Sequence, residues 1–489
     1  MRVLEGLQPE RVFYYFEEIS KIPRGSGNTK AVSNYVADFA KSHALEYVQD
    51  TKNNIIVRKK AYPGYEEAPG VILQGHLDMV CEKEEGCDID FSEEGVRLRL
   101  DGNILSAEGT TLGADDGVAV AMMLAILEDE TVKAPSLECI FTVDEEMGML
   151  GAEALDMTYI AGRRMINLDE SGEKEAVAGC AGGVTALCHM PIEREASELK
   201  EFSLKISDLT GGHSGEMIDK QRANANVLMG RMLFELLKDD RVRIYDIEGG
   251  LKDNAIPRCS TAILGLTDKT FRELKERVDE LSEVLKDEYA LTDPEMKVEF
   301  EPCDDPYKIY KLIKWGCLDK ASAARAVAAL YGLPNGVVKM SPDIEGLVRT
   351  SLNLGILKSG EDEVTYSYLI RSSKESEKKE LKERLACLMD ALGGYVTFSG
   401  EYPAWEYKKE SRLAEIMDEV CREMYGDELD VRVIHAGLEC GIFFSALEGL
   451  DCVSIGPNMY DIHTPEERLE TDSLKRCWEY LLACLERLR

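Results

Sequence analysis

The sequence predicts an α/β fold with a mostly parallel central sheet, into which a second, α+β domain of two related halves is inserted. Three observations carry this expectation. Over the first 180 or so residues, short and almost continuously apolar runs alternate with stretches of helical periodicity, as strands covered on both faces by helices do. From about Val184 the runs alternate or carry charge, and the intervening helices are highly charged, suggesting a sheet with one solvated face. After Pro403 the first texture returns. A chain of 489 residues also exceeds what one ordinary core accommodates.

Residues 9–22 (PERVFYYFEEISKI) and the run from Lys30 to Ala44 space their apolar residues as helices. NNIIVRK is a short β-branched run, and GVILQG at 70–75 is an apolar strand ending in glycine. Residues 117–130 (GVAVAMMLAILEDE) read as a largely buried helix, and SLECIFTV at 136–143 and RMINL at 164–168 as buried strands. In the middle of the chain, STAILGLTDKTFRELKERVDELSEVL is echoed by VTYSYLIRSSKESEKKELKERLACLM. Each block gives a strand, a turn and a charged helix, then a further strand (MKVEFEP; YVTFSGEYP). The domains expected are 1–183 with 403–489, and 184–402 inserted between them. The last helices and strand (SRLAEIMDEVCREMY, DCVSIGP, SLKRCWEYLLACLERL) return to the first domain.

The formal net charge of −34 argues against nucleic acid as a partner, since a polyanion is repelled by the overall field. No apolar run approaches the ~18 residues a membrane helix needs. The first residues, MRVLEGLQPERVFYYFEEI, lack a basic stretch followed by an apolar one, so no secretory signal is expected. Fourteen scattered cysteines without a CxxC pair suggest reduced thiols in a cytoplasmic protein, many of them buried, rather than a disulfide framework or a thiolate zinc site.

The acidic and histidine residues cluster in motifs. GHLDM supplies His76 and Asp78, LGADDG Asp115 and Asp116, VDEEMG Glu145 and Glu146, NLDE Asp169, GGHSG His213 and DIHTPEE His463. Three of the six histidines lie here, and His76, Glu145 and Asp169 each follow an apolar strand. Ligand sites of α/β sheets form outside the carboxyl ends of strands. Singly, each motif also fits an ordinary role, such as a solvated turn for DEE or a helix cap for NLDE. Together they describe a crevice whose packed carboxylates need neutralising cations. Mixed histidine and carboxylate ligands suit zinc, with manganese or cobalt as substitutes. Five ligands with a bridging water fit a two-metal site. Adjacent side chains on an extended chain point opposite ways, so one of Glu145 and Glu146 can ligate while the other remains a base. His76 and Asp78 share a face, where the carboxylate can accept the second ring N–H.

In this order, HxD, GADDG, DEEMG, NLDE, GGHSG and HTPEE resemble the di-zinc exopeptidases that include carnosinase and carboxypeptidase G. VILQGHLDMVCEK, TTLGADDGVAVAM, LTGGHSGEMI, DNAIPR, SLNLGI, IHAGLECGIF and VSIGP resemble its branch of aminoacyl-histidine dipeptidases and spread the likeness over essentially the whole chain. The resemblance implies a catalytic domain of the di-zinc exopeptidase type with a lid inserted in it. It implies that Asp115 bridges two Zn2+ ions, that His76 and Asp169 complete one and Glu146 and His463 the other. Glu145 would be the general base and Asp78 would orient His76. His213 would donate to the oxyanion across a closing cleft, and the peptide after Asp115 would be cis. Asn254 sits where relatives contact substrate. An arginine for the substrate carboxylate is also implied. In the first lid half the corresponding position is Thr267, and in the second it is Arg371, which is the expected clamp. Relatives often carry Asn at the position of Asp116, outside the implied ligand set. His435 and Glu439 lie in the HAGLECG motif, where they would line the pocket.

The activity implied is metal-dependent hydrolysis of dipeptides, Xaa-His among them, by a monomer or homodimer. An N-acyl amino acid deacylase or aminotripeptidase on the same site is the alternative within enzymes. A catalytically inactive binding protein is the alternative outside them, against which the retention of all five ligands, Glu145 and His213 argues.

Overall fold

A computed structural model describes residues 2–305 and 314–489. The chain divides into two compact units: Met1–Cys180 with Trp405–Val433 and Leu438–Arg489, and Ala181–Ala404 with Ile434–Gly437. The short 434–437 excursion has a local cause, since the Ala181 N–H donates to the carbonyls of Ile434 and Ala436.

The first unit is built on a sheet of eight strands. In chain order these are β1 (Glu46–Gln49), β2 (Ile55–Lys59), β3 (Val71–His76), β4 (Leu137–Thr142), β5 (Arg164–Asn167), β6 (Glu175–Cys180), β7 (Asp430–Ile434) and β8 (Asp451–Ser454). Their order across the sheet is β1-β2-β4-β3-β5-β8-β6-β7. The central run β4-β3-β5-β8 is parallel. The expectation of a mostly parallel sheet therefore holds for its centre alone: β1 with β2, β2 with β4 and β8 with β6 are antiparallel. Every residue of β3 and β4 is buried, which is why these runs lack polar alternation.

The helices α1 (Glu10–Ser20), α2 (Lys30–Ser42), α3 (Ala114–Glu128), α4 (Arg412–Tyr425), α5 (Glu439–Ala446) and α6 (Thr471–Arg487) belong to the same unit. In α3 every residue except Asp115 and Glu128 is buried, which accounts for a helix apolar all round. Its approach to β3 depends on Gly75, where a Cβ would come within 2.5 Å of that of Ala119. The first turn of α3 is thus pressed against the strand end that carries His76.

The second unit has its own core and a sheet of nine strands. Eight follow one path: Lys297–Pro302, Lys200–Ser207, Ser260–Leu266, Arg243–Gly249, Val348–Ser359, Glu363–Ser372, Gly182–Pro191, Tyr395–Tyr402. Their pairings are antiparallel. The two related halves are visible in this order. Each half contributes four strands to this path and two helices: Ala225–Leu236 and Asp268–Glu288 in one, Lys320–Gly332 and Glu375–Ala391 in the other. The halves repeat the same order outward from the seam where Arg243–Gly249 meets Val348–Ser359. The first strand of the second half, Gly182–Pro191, precedes the whole first half in the chain, so one half is threaded within the other.

Candidate active site

The carboxyl end of the parallel run gathers the expected side chains. His76 ends β3 and is 1% exposed. Its Nε2 lies 3.0 Å from Asp115 Oδ1 and 3.6 Å from Asp169 Oδ1. The other oxygen of Asp115 lies 3.2 Å from His463 Nε2, and that nitrogen is 2.9 Å from Glu146 Oε1. One carboxylate thus stands between two histidines, each with a second carboxylate beside it. Donor atoms of Asp115, Glu146 and His463 lie within 4.8 Å of one another, as do those of His76, Glu145 and Glu146 and those of His76, Asp116 and Asp169. The Asp115–Asp116 peptide is cis, as the resemblance implied. Asp116 is closer in than implied: its Oδ2 accepts the His76 backbone N–H at 3.1 Å, its Oδ1 is buried without a hydrogen-bond partner, and it groups with His76 and Asp169.

Asp78 is fully buried and does more than face His76. His76 Nδ1 is 3.1 Å from the Asp78 carbonyl and 3.5 Å from its carboxylate. Either contact leaves Nε2 directed at the carboxylates. The Asp78 carboxylate also accepts from Ser26 Oγ at 2.8 Å and from the backbone N–H groups of Glu145 and Glu146 at 3.2 and 3.4 Å. It therefore ties the β3 end to the loop after β4.

Two residues for which the motifs suggested no role hold the start of α3. Glu467 is 2% exposed, and its carboxylate accepts the N–H groups of Leu112, Gly113, Ala114 and Asp115 at 2.7, 2.9, 2.8 and 3.4 Å. Arg24, also 2% exposed, donates to the carbonyls of Leu77 and Asp78 at 3.0 Å each and to that of Gly113. Gly113 has φ 68°, and a Cβ there would meet the Arg24 guanidinium at 2.5 Å. Glycine is required on both grounds. Glu467 lay in the HTPEE motif and was visible as a residue; its partners, being backbone groups far away in the chain, were not. Arg24 had no signal.

The electrostatics of the cluster match a cation site. Burial pushes the carboxyls of Glu145, Asp116 and Asp169 well above the usual range. His463, hydrogen-bonded to Asp115 and Glu146, is pushed up to about 11. His76 is raised well above its ordinary value by Asp169, Asp115 and Asp78, against the opposing effect of burial. Carboxyls so buried ionise only with positive charge beside them, and imidazoles held among carboxylates suit borderline divalent ions.

On the second unit, His213 lies in the short strand Gly212–His213, paired with Ala255–Ile256, and the Ser214 N–H donates to the Asn254 carbonyl at 2.8 Å. His213 and Asn254 are thus neighbours across a two-residue ladder. Arg371 is buried at 6% exposure, so it is not an ordinary exposed strand-end arginine. It donates to Tyr402 Oη at 3.0 Å, and its Nε is buried without a hydrogen-bond partner. His435 is held by Ser351 Oγ at 2.7 Å, and burial, with Arg371 and His213 nearby, lowers it to about 3. Thr267, at the position lacking the implied arginine, caps the helix Asp268–Glu288 by accepting from the Thr270 N–H.

Fold and site together define a metallopeptidase-type centre on a two-unit chain. The chain belongs to peptidase family M20/M25/M40, whose sequence model matches residues 72–487. It is 32% identical over 490 residues to the cytosol non-specific dipeptidase of Escherichia coli K12, covering 100% of this chain and 99% of that one. Among solved structures it is similar to the aminoacylhistidine dipeptidase of Vibrio alginolyticus, with TM-score 0.88, 34% identity, and 99% and 97% of the two chains covered. A tripeptidase of Staphylococcus aureus shares the fold at TM-score 0.55 and 16% identity, over 99% of each chain.

Proposed function

We propose that this protein is a cytoplasmic dipeptidase that hydrolyses Xaa-His and other dipeptides with two zinc ions. The observation that carries the metal reading is the Asp115 carboxylate set between His76 and His463, with Asp169 and Glu146 beside them. The dipeptide reading is supported by whole-chain similarity to two dipeptidases, one of them named for the cytosol.

We assign one zinc to His76, Asp115 and Asp169 and the other to Asp115, Glu146 and His463. Bound there, the ions supply Lewis acidity toward the scissile carbonyl and neutralise the carboxylates. Glu145 is the general base: it takes a proton from the attacking water and returns it to the leaving amine. Asp78 holds the His76 ring and the Glu145 backbone in place. To His213 we assign donation to the oxyanion, to Arg371 the C-terminal carboxylate, and to Asn254 a further substrate contact. The segments 1–183 and 403–489 are the catalytic domain in this proposal, and 184–402 the lid.

The test is hydrolysis of dipeptides, a tripeptide and an acetylated amino acid by chelator-stripped protein with Zn, Mn or Co restored, beside Glu145→Gln. Dipeptides should be cleaved only with metal. The variant should lose at least ~100-fold in kcat, the low end for a general base, while binding metal as before. Preference for the acetylated amino acid would make the protein a deacylase on the same site. Metal binding without any cleavage would favour a binding protein.

A further inference from the structure

Below the loops that carry the candidate ligands runs a line of buried polar side chains that the proposed chemistry does not use. Thr142, Gln74, Asn167 and Ser454 have no exposed surface. They sit on β4, β3, β5 and β8, which are neighbours in that order across the sheet. Ser454 Oγ donates to Asn167 Oδ1. Asn167 Nδ2 donates to Gln74 Oε1 at 2.6 Å, and Gln74 Nε2 donates to Glu439 Oε2 at 2.6 Å. Thr142 Oγ1 donates to the same Glu439 oxygen at 2.6 Å. Glu439, the first residue of α5, is itself fully buried.

The line has a direction, and Glu439 sets it. Its Oε2 accepts from both the Gln74 amide and the Thr142 hydroxyl, so Gln74 turns its N–H toward Glu439 and its carbonyl toward Asn167. Asn167 must then present its amide N–H to Gln74 and its carbonyl to Ser454 and to the Asp169 N–H, which lies 3.4 Å away. Gln74 is two residues before His76 and Asn167 two before Asp169, so each shares a strand face with the ligand above it. Thr142 is three residues before Glu145, and it pairs across the sheet with His76.

We propose that Glu439 is a positioning residue for the metal centre: by accepting from Gln74 and Thr142 it anchors a directed hydrogen-bond line that fixes the strand ends bearing His76, Asp169 and Glu145. The inference rests on the proposed metal site. A purely structural role is a poor account of this residue, because Glu439 Oε1 is buried without a hydrogen-bond partner. A carboxyl left half satisfied in a core costs stability that a well-packed apolar side chain would not.

The experiment compares wild type with Glu439→Leu, Glu439→Gln and Thr142→Val. It reads the melting temperature of the apoprotein, the zinc affinity by competition with a chromophoric chelator, and kcat and KM on a dipeptide. Glu439→Leu should weaken zinc binding by about 10- to 100-fold, the range found when partners of metal ligands are removed. Its kcat should fall further than its KM moves, with the apoprotein still folded. Glu439→Gln keeps an acceptor for both donors and should stay within about threefold of wild type. Thr142→Val preserves shape, removes one donor and should weaken zinc binding in the same direction. If the leucine variant does not fold, the valine variant decides alone. Wild-type zinc affinity and kcat in both Glu439→Leu and Thr142→Val would overturn the proposal while leaving the metal site standing. A wild-type chain that binds no divalent ion would remove both.

Discussion

Two histidines of this chain show how environment sets the charge of the same side chain. His463 is hydrogen-bonded by Asp115 and Glu146 and is pushed up to about 11, whereas His435 is buried beside Ser351, Arg371 and His213 and falls to about 3. Asp219 works weakly the other way on His435. His435 is therefore neutral in the folded protein and gains a proton on unfolding wherever the pH is below its ordinary value of 6.5. Its contribution to stability is fully present above that value and is lost as pH falls toward the folded value. From pH 7 to pH 5 the loss from this group is about 2 kcal/mol. Urea unfolding of the apoprotein at both pH values should show His435→Gln losing less stability on acidification than wild type, by about that amount. Parallel losses in the two proteins would mean that His435 is protonated in the native state.

At the scale of elements, the start of α3 is the point where loops distant in sequence are locked together. Glu467, four residues after His463, gathers four backbone N–H groups that include that of Asp115. The carboxylate satisfies donors that a helix start leaves open. Replacing it by Gln turns an N–H toward two of those donors, and Glu467→Gln should cost about 1–3 kcal/mol in urea unfolding of the apoprotein. Glu466→Gln, next to it but exposed, should stay within about 0.5 kcal/mol of wild type; equal effects at the two positions would deny Glu467 its capping role. This element also marks where legibility in the sequence ends. The helix was readable because it is apolar all round, and the candidate ligands because histidines and carboxylates after apolar strands are conspicuous. Arg24 and Glu467 were not, since they bond to main chain far off, which no residue pattern records. The strand Gly212–His213 is too short for periodicity to show, so its pairing with Ala255–Ile256, which makes His213 and Asn254 neighbours, became visible only in three dimensions. The antiparallel edges of the first sheet were hidden for a related reason: the residue pattern of a strand reads alike whichever way its neighbour runs.

At the scale of the whole molecule, the described residues form two large cores rather than one. One is formed around α3 and the parallel strands, the other by the sheet and helices of the two related halves. The echo between STAILGL and VTYSYLI was legible because each block repeats strand, charged helix and strand. The threading of one half inside the other was not, because Gly182–Pro191 stands apart from its partners in sequence. The five proposed ligands all fall in the first unit. Ions that bind only the folded form of that unit stabilise it by mass action, by about 2.7 kcal/mol for one site at a free concentration 100-fold above its Kd. Calorimetry of the stripped protein should resolve two transitions, and added zinc should raise one of them. In His463→Ala the zinc-dependent rise should shrink, while the other transition stays where it was. A single transition, raised as a whole by zinc, would show instead that the units unfold as one cooperative body, with metal binding felt by both.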